Sequence, residues 1–421
     1  MIPTLDEDVR KLLQQLGHPQ TEYGEDNITR RERLIKLIND DSVKQQLQNM
    51  QADDDDAMVE GSSNDDEDED FYTPGTSELY DLRIEIANES LINAKNRILN
   101  QQIQYDNINE IEILQQRRTY NDNLKLFELE GVQTISNRFT SCVKFNNNNK
   151  IYAGSWDGKT YKLDDNLNKQ GFLNGFHESK VGDVEFHPID NNIMATCGNE
   201  GLINIYNNEQ LQTSLKGHDG RITSLSFNPI NNLNLLVSAS HDKTWRLYDV
   251  STTKEIYYQE GHSKELTSIS HQIDGSLLSS SSIDNLIKLW DLRSGLNIAN
   301  LSDHTNGVYC LQWRLNGYEL ISGGGDNLIK VWDIRNYKKP KHNLISHTKL
   351  VSDLKISNDD KFMISCGYDG LLNIHSCDSW LNLKKFKNTD KLMTCDISND
   401  MKSIITGGWN RSIQLYKLLT N

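Results

Sequence analysis

Serine, histidine and aspartate recur together along this sequence, and the same three residue types form the catalytic triad of many hydrolases. A triad needs a single exposed nucleophile beside its base, whereas these groups repeat at a regular spacing. The repetition favours a structural role, in which each group forms a buried chain of hydrogen bonds between neighbouring strands. Two groups also contain a tryptophan six residues after the aspartate, and their members are His262, Ser280, Asp284 and Trp290, and His304, Ser322, Asp326 and Trp332. A third group, His218, Ser238 and Asp242, has Tyr248 at the tryptophan position.

Two further patterns could mark a cofactor or redox site. The run Gly323-Gly324-Gly325 has the composition of a phosphate-binding loop, but no Lys-Ser or Lys-Thr pair follows it. The six cysteines lie far apart without a Cys-x-x-Cys spacing, which is typical of reduced, buried residues. The sequence therefore predicts no catalytic residue, no cofactor, no bound metal ion and no small-molecule substrate.

The spacing of the aspartates extends over most of the chain. An aspartate, or a residue in its place, recurs seven times in steps of 41 to 43 residues, which is the period of WD repeats. Each repeat contains alternating apolar runs separated by Gly, Asn and Asp, as expected for short antiparallel strands. We therefore predict a mainly β fold, a seven-bladed WD-repeat β-propeller over residues 122–421. The seven positions are Asp157, Glu200, Asp242, Asp284, Asp326, Asp369 and Asn410.

The last repeat lacks an outer strand, because only five residues follow Tyr416. The segment 123–130 has the alternation of a strand and lies just before the first repeat. We expect this segment to supply the missing strand of the seventh blade, which closes the ring and leaves no open sheet edge.

The residue before each turn acid should lie at one rim of the propeller. In blades six, seven and one these residues are the aromatic Tyr368, Trp409 and Trp156, and the three blades are neighbours in a closed ring. Exposed aromatic residues are common where proteins bind each other. We hypothesise that the three form a protein-docking site, and the alternative is that each ring folds over its own blade.

Charge is distributed unevenly along the 421 residues, whose formal net charge is −16. Residues 51–70 contain eleven Asp or Glu and no Lys or Arg, and we interpret 41–76 as an acidic disordered linker. From residue 122 onward, 33 acidic and 32 basic residues nearly cancel, which argues against a broad phosphate-binding face. Since the chain has no run of about 18 apolar residues and no signal sequence, we expect a soluble, intracellular protein without membrane contact.

Residues 2–40 have the pattern of two short helices, the first with a capping box over residues 4–7. So short a segment can bury little core of its own, and we expect it to order on a partner. Its arginine cluster could contact a protein or RNA phosphate, or it could pair with nearby glutamates on a solvated helix face. A protein contact is the favoured interpretation.

Residues 77–121 contain no Gly or Pro and predict a helical connector between the N-terminal segment and the propeller. Apolar residues recur at helical spacing, among them Leu79, Ile86, Leu91 and Ile98, and we expect them on one face. That face either packs on the propeller or docks a partner, and the sequence leaves both alternatives open.

The N-terminal motif resembles that of a known family of splicing factors. A Gly-x-Pro is followed by an aromatic-Gly-Glu and then by Arg-Arg-x-Arg-Leu, with Tyr as the aromatic where Phe is usual. The segment from Phe71 to Arg97 is similar to the linker of the same family, the WD-repeat subunits of the U4/U6 small nuclear ribonucleoprotein. Together with the seven repeats, the resemblance covers nearly the whole chain. Its partner-binding role is carried over to Pro19, Tyr23, Gly24, Glu25, Arg30, Arg31, Arg33 and Leu34.

This resemblance implies a pre-mRNA splicing factor in the nucleus, a non-catalytic scaffold of the U4/U6 and U4/U6·U5 particles. It also implies binding to other U4/U6-specific proteins and, in some lineages, to a cyclophilin, with mostly indirect contact to U4/U6 small nuclear RNA. The alternative is a WD-repeat adaptor of another nuclear complex, such as a ubiquitin ligase or a chromatin assembly, which explains the propeller but not the motif. Glu200, His375 and Asn410 depart from the repeat pattern, which puts the regularity of blades one, two, six and seven in question.

Overall fold

The chain divides into two compact units, residues 1–71 and 72–421. In the first unit all the described residues are helical, and Val9, Leu13 and Leu34 are almost fully buried against each other. Most of the predicted acidic linker lies outside the described residues. The computed structural model describes residues 9, 10, 13, 29, 30, 33, 34, 36, 37, 73, 75–106 and 109–418.

The helical region before the propeller consists of two helices, α1 at Ser77–Asp106 and α2 at Glu110–Leu124. The hydroxyl oxygen of Thr76 caps α1 by accepting a hydrogen bond from the backbone N–H of Leu79 at 3.2 Å. Within the described part of the chain, no helix is both long and apolar enough to cross a membrane.

The expectation of one apolar face on α1 is wrong. Leu79 and Ile86 are buried, whereas Leu91 and Ile98 are 58% and 46% exposed. An α-helix turns by about 100° per residue, so the two pairs point in different directions. α1 therefore packs on the propeller with one side and presents a second apolar side to solvent.

The described residues form 28 strands, numbered β1 to β28 in chain order, which make seven antiparallel sheets of four strands. Each sheet is one blade, and blades one to six use consecutive strands, from β2–β5 to β22–β25. This confirms the predicted seven-bladed propeller with a helical region before it. A short 3-10 helix lies at Ile334–Asn336, and the strands are Phe127–Thr134, Thr140–Phe145, Ile151–Ser155, Thr160–Leu163, Lys169–Phe172, Val181–Phe186, Ile193–Gly198, Ile203–Asn207, Gln210–Leu215, Ile222–Phe227, Leu235–Ser240, Trp245–Asp249, Lys254–Gln259, Leu266–His271, Leu277–Ser282, Ile287–Asp291, Asn297–Leu301, Val308–Trp313, Glu319–Gly324, Leu328–Asp333, His342–Ile345, Val351–Ile356, Phe362–Gly367, Leu371–Ser376, Asn382–Lys387, Leu392–Ile397, Ser403–Gly408 and Ser412–Leu418.

Burial increases from the outer strand of a blade toward the middle strands. In β11, β19 and β23, the second strands of their blades, every residue is buried. The outer strands β5 and β21 are mostly exposed. Because both faces of a blade pack against neighbouring blades, the middle strands are continuous runs of apolar or small residues.

β1 closes the ring by pairing with β28 in the seventh blade, from Phe127 opposite Leu418 to Thr134 opposite Ser412. The predicted strand 123–130 is displaced: β1 begins at Phe127 because α2 continues to Leu124 and a turn follows it. In that turn the backbone N–H of Leu126 donates to the carbonyl of Asn123 at 2.9 Å. The closing strand therefore follows directly from the end of the connector.

Aspartates on innermost strands join three pairs of neighbouring blades. Asp183 in blade two accepts a bond from the backbone N–H of Leu225 in blade three at 3.2 Å. Asp353 in blade six accepts from the backbone N–H of Cys395 in blade seven at 3.0 Å. Asp396 in blade seven accepts from the backbone N–H of Phe145 in blade one at 2.7 Å. The junction between the last and first blades is thus closed at its inner strands as well as through β1.

Substitution of Phe127 tests how much the ring-closing strand β1 contributes to stability. Its side chain is fully buried in a cluster that joins α2, β1 and blades six and seven. We predict that Phe127→Ala lowers the free energy of unfolding by about 3–5 kcal/mol, since it removes a large buried ring and leaves a cavity. Urea unfolding followed by circular dichroism measures the change.

Val132→Ala on the same strand is the matched control, because Val132 is 53% exposed. Its effect should stay below about 1 kcal/mol. Equal effects of the two substitutions would show that the strand does not depend on its buried end for stability.

Candidate docking surfaces

Five histidines form the same buried chain of hydrogen bonds in blades two to six. In each, Nδ1 contacts the acidic residue of the turn and Nε2 contacts a hydroxyl oxygen on the second strand. The distances lie between 2.5 and 3.1 Å. The five sets are His177, Glu200 and Thr196; His218, Asp242 and Ser238; His262, Asp284 and Ser280; His304, Asp326 and Ser322; and His347, Asp369 and Ser365.

The fourth blade shows why this arrangement is structural. Trp290 donates its Nε1–H to Ser280 Oγ at 2.9 Å, and the same hydroxyl lies 2.8 Å from His262 Nε2. Ser280 is fully buried, so no substrate can reach its hydroxyl. Burial by itself would raise the pKa of Asp284, but hydrogen bonds from His262 and from backbone N–H groups lower it to about 2. The set stabilises the blade, because each partner left unsatisfied would cost about 1–3 kcal/mol.

The departures from the repeat pattern have different consequences. Blade two is regular, since Glu200 takes the place of the aspartate. In blade six His375 occupies the tryptophan position and lies 3.2 Å from Ser365 Oγ. Blades one and seven lack the histidine, and their nearest equivalents are a contact between the Ser136 and Ser155 hydroxyls and a bond between Asn388 and Tyr416.

The hydrogen-bonded sets of His177 in blade two and His347 in blade six were not predicted from the sequence. A usable signal was present, because His177 and His347 precede their turn acids by the separation found in the three sets that were recognised. Pairing each histidine with the acid 22 to 24 residues later would have found both.

Two of the three predicted rim aromatics contact each other. The rings of Trp156 and Trp409 lie 6.3 Å apart, and Phe139 stacks on Trp409 at 4.7 Å and meets Trp156 edge-on at 5.2 Å. Tyr368 joins them through Lys391, whose Nζ lies 5.1 Å from the Tyr368 ring and 4.5 Å from the Trp409 ring. The aromatic contacts therefore cross between blades, rather than each ring folding only over its own blade.

Lysines cover part of these half-buried rings. Lys180 Nζ lies 3.7 Å from the Trp156 ring, in the geometry of a cation–π contact. The resulting surface alternates aromatic and basic groups around one end of the propeller. We call it the rim cluster, and its members are Phe139, Trp156, Lys180, Tyr368, Lys391 and Trp409.

The rim cluster borders the central cavity, which has a volume of about 480 Å³ and is lined by the innermost strand of every blade. Trp156 and Tyr368 line this cavity, as do Asp183 and Asp353 deeper inside. Burial raises the pKa of Asp183 to about 6, although the Lys144 ammonium acts in the opposite direction. The end of the propeller thus has a basic and aromatic rim, and the cavity below it is lined by acidic and basic residues together, among them Lys144 and Arg221.

The N-terminal motif is only partly described. Leu34 is buried beside Val9 and Leu13, and Arg30 is 3% exposed. Arg33 is half-buried. These positions place Leu34 in the core of its unit. The other motif residues lie outside the described residues, and they are Pro19, Tyr23, Gly24, Glu25 and Arg31.

Over the residues that the structure describes, no group of three or more His, Cys, Asp or Glu is placed to hold a metal ion. All six cysteines are buried as free thiols.

Two protein-family models match this chain. A family model described as pre-mRNA processing factor 4 (PRP4) like matches residues 9–37. The model of the WD domain, G-beta repeat, matches four stretches of the propeller, 209–249, 253–291, 295–333 and 338–376. Motif and repeats therefore occur in the order that the sequence predicts.

Similar proteins include the U4/U6 small nuclear ribonucleoprotein PRP4 of Saccharomyces cerevisiae. It is 42% identical over 429 residues, which cover 99% of this chain and 90% of that protein. An uncharacterized WD repeat-containing protein of Schizosaccharomyces pombe is 32% identical over 57% of this chain and 52% of its own length. The U4/U6 small nuclear ribonucleoprotein PRP4-like protein of Arabidopsis thaliana is 31% identical over 60% of this chain and 38% of its own length.

His375 should make the stability of the propeller depend on pH. Burial and the nearby His347 and Lys385 lower its pKa to about 3, whereas a histidine in an unfolded chain titrates near 6.5. Between pH 6 and 4 only the unfolded state binds this proton, so stability decreases by about 1.4 kcal/mol per pH unit as the pH falls. We predict that His375→Tyr reduces this slope by about one proton in urea unfolding at successive pH values.

Ile374→Val on the same strand is the control, because it removes a buried methyl group without changing a titratable residue. It should lower stability by about 0.5–1.5 kcal/mol at every pH and leave the slope unchanged. An unaltered slope in His375→Tyr would show that this histidine is protonated in the folded blade.

Proposed function

The chain belongs to the PRP4 family of U4/U6 small nuclear ribonucleoprotein subunits, and on this basis we propose that it is a nuclear scaffold protein of the U4/U6 and U4/U6·U5 particles in pre-mRNA splicing. The observation that carries the proposal is the 42% identity over 99% of the chain. This alignment spans the N-terminal motif, the connector and the propeller together. A WD-repeat adaptor of a ubiquitin ligase or chromatin complex would account for the propeller alone.

A non-catalytic role is supported by the burial and the hydrogen bonds of the polar residues. The histidines, hydroxyl groups and acids that resemble a triad are enclosed in the blades and satisfied by one another. Catalysis would need such groups at a surface where a substrate can reach the nucleophile. A propeller built in this way offers its loops and rims to partners, as scaffold proteins do.

We propose that the N-terminal motif contacts another U4/U6-specific protein, and in some lineages a cyclophilin, so that contact with the RNA is mostly indirect. The near balance of charge from residue 122 onward, with 33 acids and 32 bases, supports indirect contact. Leu34 would act from inside its unit by holding the two helical segments together. Arg33, which is half-buried, and the residues around Pro19 and Tyr23 would supply the binding surface.

The rim cluster is the second proposed docking surface. Its rings and ammonium groups lie at the end of the central cavity and link blades six, seven, one and two. Aromatic residues, tryptophan and tyrosine above all, are enriched in the energetic centres of protein interfaces. A protein partner with acidic groups would satisfy the two lysines and cover the rings.

Substitution of two rim tryptophans tests this surface. We predict that Trp156→Ala combined with Trp409→Ala reduces retention of one particle protein by at least tenfold, equivalent to about 1.4 kcal/mol or more. The quantity to measure is the protein composition of particles purified through a tag on this chain, by quantitative mass spectrometry.

Phe172→Ala combined with Phe176→Ala is the matched control. These rings also pack together, at 6.1 Å, and Lys159 lies over both. The control should change retention by less than twofold. If every partner stayed bound at full strength in the tryptophan variant, the rim cluster would not be a docking surface.

The assignment to the particle is tested by the RNA that purifies with the chain. We predict that U4 and U6 small nuclear RNA are recovered together from nuclear extract. Deletion of residues 2–40 should lower their recovery, since it removes the proposed protein contact, while the thermal transition of the propeller persists. Recovery of ligase or chromatin subunits without these RNAs would favour the adaptor alternative.

A further inference from the structure

A groove of about 1330 Å³ lies between the helical connector and the loops that follow the innermost strands of blades three to six. The rim cluster lies where innermost strands begin, so the groove is at the opposite end of the propeller. On one side α1 borders it, where Arg97 and Gln101 donate hydrogen bonds to the Asn316 carbonyl at 2.6 and 3.1 Å. On the other side α2 borders it, where the Tyr120 hydroxyl donates to Asp359 at 2.7 Å. The groove is larger than the about 300–1,000 Å³ of small-molecule sites.

Side-chain amides dominate the lining of this groove. Among the described residues that line it, eleven are Asn or Gln and only three are Ile or Leu. Three aliphatic side chains cannot cover the apolar face of an amphipathic helix. An amide offers two N–H donors and an acceptor oxygen, and an extended polypeptide offers one N–H and one C=O at each residue with no internal hydrogen bonds. The lining therefore matches an extended backbone.

The charges of the groove are already paired within it. Each Arg and Lys among the described lining residues forms an ion pair with a lining carboxylate, at 2.6 to 3.6 Å, and these five cations are Arg97, Arg117, Arg314, Lys341 and Lys361. Five carboxylates line the groove as well. An RNA backbone needs cations that are not already neutralised, so this balance favours a protein segment of low net charge.

A row of four asparagines continues from the groove across the other blades of the same end. Asn358 lines the groove and donates its side-chain N–H to Asn399 Oδ1 at 3.0 Å. Asn399 donates to Asn147 Oδ1 at 2.9 Å, and Asn147 donates to Asn191 Oδ1. Asn191 lines a second cavity of about 230 Å³, in which five of the ten described lining residues are asparagine. We call this row the amide track, and it crosses blades six, seven, one and two.

The amide track has capacity for further hydrogen bonds. Asn358, Asn147 and Asn191 are exposed, and Asn399 is half-buried. Water competes for hydrogen bonds at such positions and ordering the side chains costs entropy, so the row adds little to the stability of the propeller. Asn399 and Asn147 each use one N–H and one oxygen lone pair within the row, which leaves one of each for a ligand.

We propose that the groove and the amide track together bind one extended segment of a different protein, whose backbone N–H and C=O groups pair with the side-chain amides. The occupant is long and narrow, because the track leads from the groove to the second cavity one asparagine at a time. This inference goes beyond the proposed function, because the residues of this site belong neither to the N-terminal motif nor to the rim cluster.

The order of contacts distinguishes an extended segment from a folded partner. A photo-crosslinking amino acid is introduced at Gln104, at Asn399 or at Asn191, in the full chain purified through a tag from nuclear extract. Gln104 lines the groove, and the other two positions lie farther along the amide track. We expect all three to crosslink to one other protein, within one segment, with the crosslinked residues in the order of positions 104, 399 and 191 or its reverse.

Asn300 is the control position for this experiment. It is exposed and accepts a hydrogen bond from the side chain of Asn297 at 2.7 Å, but it lies on the outer strand of blade four. Position 300 should give at least tenfold less of the product. Equal yields at the control and the three test positions would show that only water fills the groove. Crosslinks to RNA, to a second copy, within the same chain, or to residues scattered over a folded domain would also contradict the proposal.

Removal of the amides provides a second measurement. Asn399→Ala combined with Asn147→Ala interrupts the amide track, whereas Asn297→Ala combined with Asn300→Ala removes the control pair. The first variant should reduce retention of the crosslinked protein at least tenfold and the second less than twofold, with unchanged thermal unfolding of both. Equal retention in the two variants would overturn the proposal. Since retention of this protein is scored separately from recovery of the small nuclear RNAs, that result leaves the proposed function unaffected.

Discussion

Closure of the ring by β1 is the constraint on which the other features depend. This strand precedes blade one in the chain but completes blade seven, with Phe127 opposite Leu418. Without β1, the edge of β28 would be unpaired, and the last blade would be joined to the first by side-chain packing and by inner bonds such as the one that the Phe145 backbone N–H donates to Asp396. The rim cluster spans that junction, and α2 leads directly into β1. Closure thus positions both the aromatic rim and the helical connector.

The buried hydrogen-bonded sets use the polar residues of five blades for stability. In five blades, a histidine joins the turn acid to a hydroxyl on the second strand. Since each unsatisfied partner would cost about 1–3 kcal/mol, these polar residues stabilise the blades only as complete sets. Groups used in this way are not available for chemistry on a substrate.

The exposed surfaces differ in chemistry, which fits a protein that holds several partners at once. The rim cluster combines Trp156 and Trp409 with the ammonium groups of Lys180 and Lys391. The side of α1 that contains Leu91 and Ile98 is apolar and exposed instead. A partner matched in charge to the rim lysines would not match this apolar side, and such differences allow specific assembly.

The sequence by itself determined the seven repeats, the origin of the closing strand and the hydrogen-bonded sets of blades four and five. These features depend on spacing along the chain, which folding preserves. Only the tertiary structure decided that Phe139 stacks on Trp409 and meets Trp156 edge-on, and which side of α1 contacts the propeller. Ring stacking joins residues that are distant in sequence, and the apolar positions of α1 fit two different sides of a helix. The choice between those sides depends on partners such as Asp274, whose position is set by the closed ring.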